Sequence, residues 1–181
     1  MNRLLALVVV LACVAAVPVA TAQSTVSVSG TVTVDGGSAD GAQVTVVPVT
    51  ANQQRAGTPA RTTVRGSSFS VDVDEASAYA VRVAYGNTTH YEVLRNTTSA
   101  SISLSGAING RVTNASGTPL SGVPVQVIDD RGFVVTETET GGNGRFTVAP
   151  VESTETYRVR ATVGGVGYRT TVEASGNGTA A

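Results

Sequence analysis

The chain has 181 residues and a net charge of −1, from 12 basic and 13 acidic side chains, and every basic residue is an arginine. Such a near-neutral chain has no positive field for nucleic acid or for an anionic membrane surface. The absence of lysine excludes any intramolecular cross-link that needs a lysine side chain. Cys13 is the only cysteine, so the rest of the chain has neither a disulfide nor a thioester.

The first 22 residues have the pattern of a secretory signal peptide. A positive start at residues 1–3 precedes an unbroken apolar run at 4–17, and small residues at 20–22 predict cleavage before Gln23. An uncleaved anchor is the alternative, but the run is short for a membrane span of about 20 residues. The residues around Cys13 disfavour lipid modification. We therefore expect a secreted or cell-surface protein, with membrane contact only if this segment stays uncleaved.

From residue 23 onward, apolar and polar residues alternate with the period of a β-strand, and no window shows a helical period. Turn signals separate the apolar rows at intervals of about 8 to 12 residues, which predicts antiparallel β-sandwiches. In chain order the expected inward-facing rows are Val26, Val28, Val32 and Val34; Val44 and Val46; Phe69, Val71 and Val73; Tyr79, Val81, Val83 and Tyr85; Ile102, Leu104, Ile108 and Val112, as the first strand of a second copy; Val123, Val125 and Val127; and Tyr157, Val159, Ala161 and Val163.

The two halves of the chain have the same order of motifs. Residues 110–122 read GRVTNASGTPLSG and are followed by an alternating strand, a Gly-Arg-Phe triplet and Tyr157. About 79 residues earlier the same order runs in a weaker form from Gly30 to Tyr79, and a repeat of this length is one small domain. We predict a signal peptide at 1–22, two tandem Greek-key-type sandwiches of about six to seven strands each at 23–98 and 99–174, and a flexible tail at 175–181. No spacer composition occurs near 95–101, so we expect direct stacking.

The second copy resembles the carboxypeptidase regulatory-like domain. That family is similar to transthyretin, so the resemblance implies a seven-stranded prealbumin-like sandwich. The first copy is a diverged version, since it lacks the Pro-Leu pair and has Ser67 and Ser68 where the motif has Gly-Arg. The matching residues are turn and core positions, which indicate fold rather than activity. In the second copy they are Gly110, Val112, Gly117, Pro119, Leu120, Gly122, Val125, Gly144, Arg145, Phe146, Tyr157, Val159, Gly167 and Tyr168.

The sequence offers little material for catalysis or for a cofactor. His90 is the only histidine, and we expect it to face solvent, so no catalytic, cofactor or metal site is predicted. Asp72 and Asp74 share a strand face, and we interpret them as a polar outer surface. Asp129 and Asp130 are expected to open a turn. The loop at 35–40 is open to two interpretations, a calcium site or ordinary turn chemistry.

Four sequons for N-glycosylation fall in predicted loops or in the tail, at Asn87, Asn96, Asn114 and Asn177. A glycan at these places would not disturb the packing of the strands.

A sugar-binding surface would need exposed aromatic side chains, and the chain has no tryptophan. Tyr91 and Tyr168 are the best candidates, because they occupy what we interpret as equivalent places in the two copies. Arg82 and Arg160 repeat on the outward strand face. They mark a possible ligand surface or a solvated face.

These observations favour a secreted, non-enzymatic sandwich protein that acts as a structural, spacer or partner-binding module. Exposed strand edges would be its route to an unknown protein or envelope-glycan partner. A carbohydrate-binding module with a starch-binding-like fold is the alternative. A transthyretin-like hydrolase or carrier is disfavoured by the single histidine. A specific activity is expected where the copies differ, first of all in the stretch 48–64.

Overall fold

The computed structural model describes residues 24–153 and 155–176. These residues form 15 strands and no helix, and thus contain no helical segment able to cross a membrane. The predicted signal peptide and the sequon at Asn177 lie outside the described residues.

The first eight strands form one sandwich. One sheet has the order β4-β3-β6-β7, and in the other β1 lies between β5 and β8, with β2 as a short hairpin partner of β1. Alternate residues of these strands fill a single apolar cluster, as the branched side chains of a pleated surface favour. The strands are β1 Thr25–Val34, β2 Gly37–Ser38, β3 Gln43–Val49, β4 Ala60–Thr63, β5 Ser68–Asp74, β6 Ala78–Tyr85, β7 Thr88–Arg95 and β8 Ser99–Leu104.

The other seven strands form a second sandwich around a separate apolar cluster. One sheet has the order β11-β10-β13-β14 and the other the order β12-β9-β15. The strands are β9 Gly106–Arg111, β10 Pro124–Ile128, β11 Val134–Glu139, β12 Arg145–Val151, β13 Thr156–Val163, β14 Val166–Glu173 and β15 Ser175–Gly176. The prediction of an all-β architecture built from sandwiches is therefore confirmed.

The same glycine–phenylalanine pair lies across the central strands of both sandwiches. Gly30 of β1 is opposite Phe69 of β5, and Gly110 of β9 is opposite Phe146 of β12. A Cβ atom at either glycine would overlap the phenylalanine ring. The glycine therefore makes room for the ring to lie flat across the strand, which explains why both residue types recur in the two halves of the sequence.

The prediction for Ile102 and Leu104 is wrong. They lie in β8, which pairs in parallel with β1, and both side chains are buried in the cluster of the first sandwich rather than the second. A strand that closes one sheet and a strand that opens the next both alternate with period 2, so periodicity does not separate them. Ser105 alone separates β8 from β9, so the connection is direct but lies later than expected.

Candidate functional site

The second sandwich packs against β7, the edge strand of the first. Tyr91 of β7 stacks on Phe133, with ring centroids 4.6 Å apart and an angle of 22° between the planes. The Thr136 hydroxyl donates a 2.7 Å hydrogen bond to the Asn87 carbonyl. The contact therefore joins β7 and its turn to β11 and to the loop at 129–133 that precedes it.

His90 is buried at this contact, which corrects the expectation that it faces solvent. The residue is 8% exposed, and it lines a cavity of about 10 Å³ together with Leu104, Val151 and Glu152. Its Nε2 atom has no hydrogen-bond partner, and Glu152 Oε1 lies 3.6 Å away. The expectation failed because the second sandwich covers the inner face of β7, and nothing local in the sequence reveals that cover.

Several carboxyl groups surround His90, and burial shifts the pKa values of the imidazole and of two of these carboxyl groups. It lowers the pKa of His90 to about 4 and raises the pKa of Glu152 to about 8, with the neighbouring Glu155 as the next cause for Glu152. Burial also raises the pKa of Glu92, which shares a strand face with His90. The imidazole is therefore neutral near pH 7, and the 3.6 Å contact with Glu152 is not an ion pair there.

Arg131 provides the positive charge of the cluster. Its Nη2 donates to Glu155 Oε1 at 2.9 Å, and its Nε lies 3.4 Å from Asp129 Oδ2 and 3.5 Å from Asp130 Oδ1. Asp129 opens the turn predicted for it, since its Oδ1 accepts a 2.7 Å hydrogen bond from the amide of Phe133. The same turn thus places both the arginine and the aromatic ring against the first sandwich.

The Tyr157 hydroxyl fixes the backbone that carries Glu152. It accepts a 3.1 Å hydrogen bond from the amide of Glu152 and donates one of 3.2 Å to its carbonyl. In the first sandwich the Tyr79 hydroxyl accepts a 3.0 Å bond from Ala76, three residues before it rather than five. The longer loop between β12 and β13 is what brings Glu152 and Glu155 to the cavity.

The structure separates the residues of the predicted ligand surface. Arg82 donates to the Tyr91 hydroxyl at 3.4 Å, and its guanidinium carbon is 6.0 Å from the Tyr91 ring centroid. Tyr91 is half-buried against Phe133, whereas Tyr168 is 60% exposed on β14. The two tyrosines line different cavities.

The two tyrosines are also not equivalent, which corrects the interpretation of the repeat. Tyr91 is opposite Arg82, while Tyr168 is opposite Ala161, one residue after Arg160. The strand register makes His90, opposite Val83, the counterpart of Tyr168. The two hairpins turn over the same number of residues, so Tyr91 corresponds to Arg169, which is opposite Arg160, and Tyr168 lies one residue before that position.

Two open grooves lie on the second sandwich. One of about 420 Å³ on the outer sheet face is lined by polar residues that include Gln126, Glu137 and Arg160, and no aromatic ring is among its lining residues. The other, of about 300 Å³, runs between β9 and β14 and is lined in part by Phe146 and Tyr168.

The described sequons lie outside the strands. Asn87 and Asn96 are exposed in turns, and Asn114 is exposed with its Oδ1 accepting bonds from the amides of Ser116 and Thr118. In the loop at 35–40, the Asp40 carboxylate accepts a 2.8 Å bond from the amide of Gly66, so it ties this loop to the turn that precedes β5.

The stretch 48–64 brings no side chains together into a site among its described contacts. The Arg55 guanidinium donates to the nearby Gly57 carbonyl, and the amide of Thr58 donates to Asp74.

Sequence reasoning missed the cluster around His90 because its members come from distant segments. The available signal was weak: His90 and Glu92 alternate on one strand face, and Glu152 and Glu155 share one loop. Only the packing of the two sandwiches brings these pairs together.

Residues 107–181 match the carboxypeptidase regulatory-like domain family. No match was found among curated proteins. The chain is thus similar to this family over its second sandwich.

Solved structures give weak similarities over most of the chain. The Bacillus anthracis TIE protein is 11% identical with a TM-score of 0.34, over 85% of this chain and 32% of that one. A streptococcal ancillary pilin is 14% identical with a TM-score of 0.31, over 86% and 63%. The pilus backbone RrgB of Streptococcus pneumoniae is 10% identical with a TM-score of 0.34, over 86% and 58%. In each case the match spans less than two thirds of the other protein.

Proposed function

We propose that this chain is a secreted or cell-surface, non-enzymatic protein whose two sandwiches form a stiff spacer that presents a partner-binding edge. The observation that carries the proposal is the junction between the sandwiches. A single residue, Ser105, connects β8 to β9, and Ser105 Oγ lies 3.2 Å from Ser153 Oγ in the second sandwich. A junction with so few free dihedral angles, reinforced by the Tyr91–Phe133 stack, limits hinge motion.

The chemistry of the described residues supports a non-enzymatic role. The chain has one histidine, and that side chain is buried between the sandwiches rather than open to a substrate. The cavity beside it, about 10 Å³, has room for about one water-sized sphere. A substrate would need a far larger opening.

We also propose that the first sandwich is a diverged copy of the regulatory-like domain. Three features support this: the equivalent order of strands in the sheets, the Gly–Phe pair across the central strands, and the tyrosine hydroxyl that holds the loop before its own strand. A diverged copy explains why turn and core residues recur in both halves while surface residues do not.

The partner-binding edge is proposed to be β14. Val166 and Tyr168 are 56% and 60% exposed, and they are among the exposed large apolar side chains of the described residues. An edge strand offers unpaired backbone groups, so a protein or glycan of the cell envelope could bind here by strand pairing or by contact with the tyrosine.

Small-angle scattering tests the stiffness of the spacer. The unchanged chain is expected to scatter as one rigid particle, whereas insertion of a Gly-Ser-Gly-Ser segment after Ser105 broadens the distance distribution. The matched control is the same insertion in the exposed turn after Gly164, which leaves the relation of the sandwiches intact. A broad distribution in the unchanged chain would contradict the proposal.

A pull-down from the native cell envelope, with intact-mass measurement, tests the location and partners. The expected chain begins at Gln23, and glycan mass at the sequons would appear in the same spectrum. Recovery of a chain that begins at Met1 would contradict secretion by cleavage.

The carbohydrate-binding alternative gains no support from the separated tyrosines, because they do not form one platform. A glycan array checks it: binding that is lost with Tyr168→Ala and kept with Tyr91→Ala would restore a sugar site on β14.

A further inference from the structure

The strongest unassigned feature is the buried polar cluster around His90. Three ligand-type atoms, one each from His90, Glu152 and Glu155, lie within 4.8 Å of one another. His90 belongs to the first sandwich and the two glutamates to the second. They meet at a cavity about the size of one water molecule.

An orphaned side chain points into this cavity. The His90 side chain is 93% buried, given its 7% exposure, and its Nε2 has no hydrogen-bond partner. Buried polar atoms almost always have a partner, so an unpartnered imidazole nitrogen calls for one. Nitrogen Nε2 of a neutral imidazole is the commonest metal ligand in proteins.

The cluster also has an excess of acidic groups. Glu92, Glu152, Glu155 and Asp129 surround the cavity region, and Arg131 is their basic partner. Buried carboxylates in such excess need either protons or a further cation. Arg131 leaves one oxygen of Glu155 available for a metal ion. A carboxylate has two oxygens, so it can bind the arginine with one and a cation with the other.

We propose that His90, Glu152 and Glu155 bind one divalent transition-metal cation, of the Zn²⁺ class, and that this ion fastens the first sandwich to the second. One imidazole with carboxylates suits Zn²⁺ better than Ca²⁺, which takes oxygen ligands only. Zn²⁺ bonds of roughly 2.0–2.2 Å place neighbouring ligand atoms roughly 3–4 Å apart, so the present spacing needs closure by about 1 Å. Bound water completes the coordination.

The single histidine makes the test direct. Untagged, nitrogen-15-labelled full-length chain is dialysed against EDTA and titrated with Zn²⁺, and the ring nitrogens are followed by proton–nitrogen correlation spectroscopy. The expected result is a change of the Nε2 resonance that saturates at one equivalent of Zn²⁺. If the Nε2 resonance does not respond to Zn²⁺ and responds only to pH, the cluster holds a shared proton and the proposal is overturned.

Calorimetry on matched variants separates this site from binding elsewhere. Glu152→Gln keeps the size of the side chain, and we expect this variant to bind Zn²⁺ at least tenfold more weakly than the unchanged chain. His90→Ala is expected to lose the binding of one equivalent of Zn²⁺. The control, Glu173→Gln on exposed β14, should bind as the unchanged chain does. Equal Zn²⁺ affinity in Glu152→Gln and the unchanged chain would overturn the proposal, even if His90→Ala fails to fold. Neither result bears on the spacer function, which scattering tests separately.

Discussion

Strands β7 and β14 hold the same position in their sandwiches and have opposite surroundings. Each follows a two-residue turn, with Tyr85 opposite Thr88 and Val163 opposite Val166. Thr88 and His90 are buried under the second sandwich, whereas Val166 and Tyr168 at the matching places are exposed. Strand β7 thus packs against another sandwich of the same chain, whereas β14 has no such packing partner among the described residues. The difference teaches that a sandwich edge can specialise as an internal joint or remain available.

The largest loss of stability is expected from Gly30→Ala, which together with a matched variant compares the packing around β1 and β9 in the two sandwiches. The new Cβ would overlap both the Phe69 ring and the Ala100 carbonyl of β8. Because a paired strand cannot yield as a ring can, we expect the free energy of unfolding to fall by about 3 kcal/mol in urea denaturation.

The matched variant is Gly110→Ala in the second sandwich, where the three atoms nearest to the new Cβ all belong to the Phe146 ring. Since Phe146 borders the groove between β9 and β14, the ring has space to tilt, and a loss of about 1 kcal/mol is expected. Equal losses for the two variants would show that β8 adds no stiffness to the first sandwich.

The next largest loss of stability is expected from Arg131→Gln, which removes the guanidinium group at the contact between β7 and the second sandwich. The carboxylates of Asp129 and Glu155 would keep their burial and lose their charged partner, so a loss of about 2 kcal/mol is expected at pH 7. Arg169→Gln on exposed β14 serves as the control and should change stability by less than about 0.5 kcal/mol. A small loss for both would mean that the charge of Arg131 does not hold the joint.

The aromatic stack gives the most direct contrast between the two edges. Phe133→Ala removes the partner of Tyr91 and should cost about 1.5 kcal/mol. Tyr168→Ala removes an equally large ring from β14 and should stay within about 0.5 kcal/mol, because that ring is mostly exposed. Thermal unfolding of both variants measures the difference, and a reversed order would refute the contrast between a covered and a free edge.

The smallest effect concerns pH in protein kept free of metal by EDTA. Glu152 has a pKa raised from 4.5 to about 8, so between these values the folded state holds a proton that the unfolded state has lost, and stability falls as pH rises. His90 has a pKa lowered from 6.5 to about 4, so in that window stability rises with pH. The two trends offset one another below pH 6.5.

Above pH 6.5 the opposing trend from His90 ends, and Glu152 lowers stability as pH rises, as does Glu92, whose pKa burial also raises. We expect stability to fall by about 1 kcal/mol between pH 6.5 and 8, and most of this slope should be absent in Glu152→Gln. A slope of the same size in that variant would assign the effect to another group.

The sequence predicted which residues of a strand face inward, but it did not predict which strands pair or which sandwich covers another. Alternation placed Phe69 and Val73 inward, and both are buried. Alternation also placed Ile102 in the wrong sandwich, because period 2 does not report which neighbouring strand it pairs with. His90 looked like a solvent-facing residue for a similar reason: its cover comes from residues about 40 to 65 positions later, such as Asp129 and Glu155.

The parallel pairing of β1 with β8 has a mechanical consequence. Tension applied between the start of β1 and the end of β8 pulls two parallel neighbours past each other, so their ladder of hydrogen bonds is sheared and all of its rungs resist together. In the second sandwich β15 runs antiparallel to β9, and the same tension would open that pair one rung at a time. Under tension, the second sandwich would therefore unfold before the first.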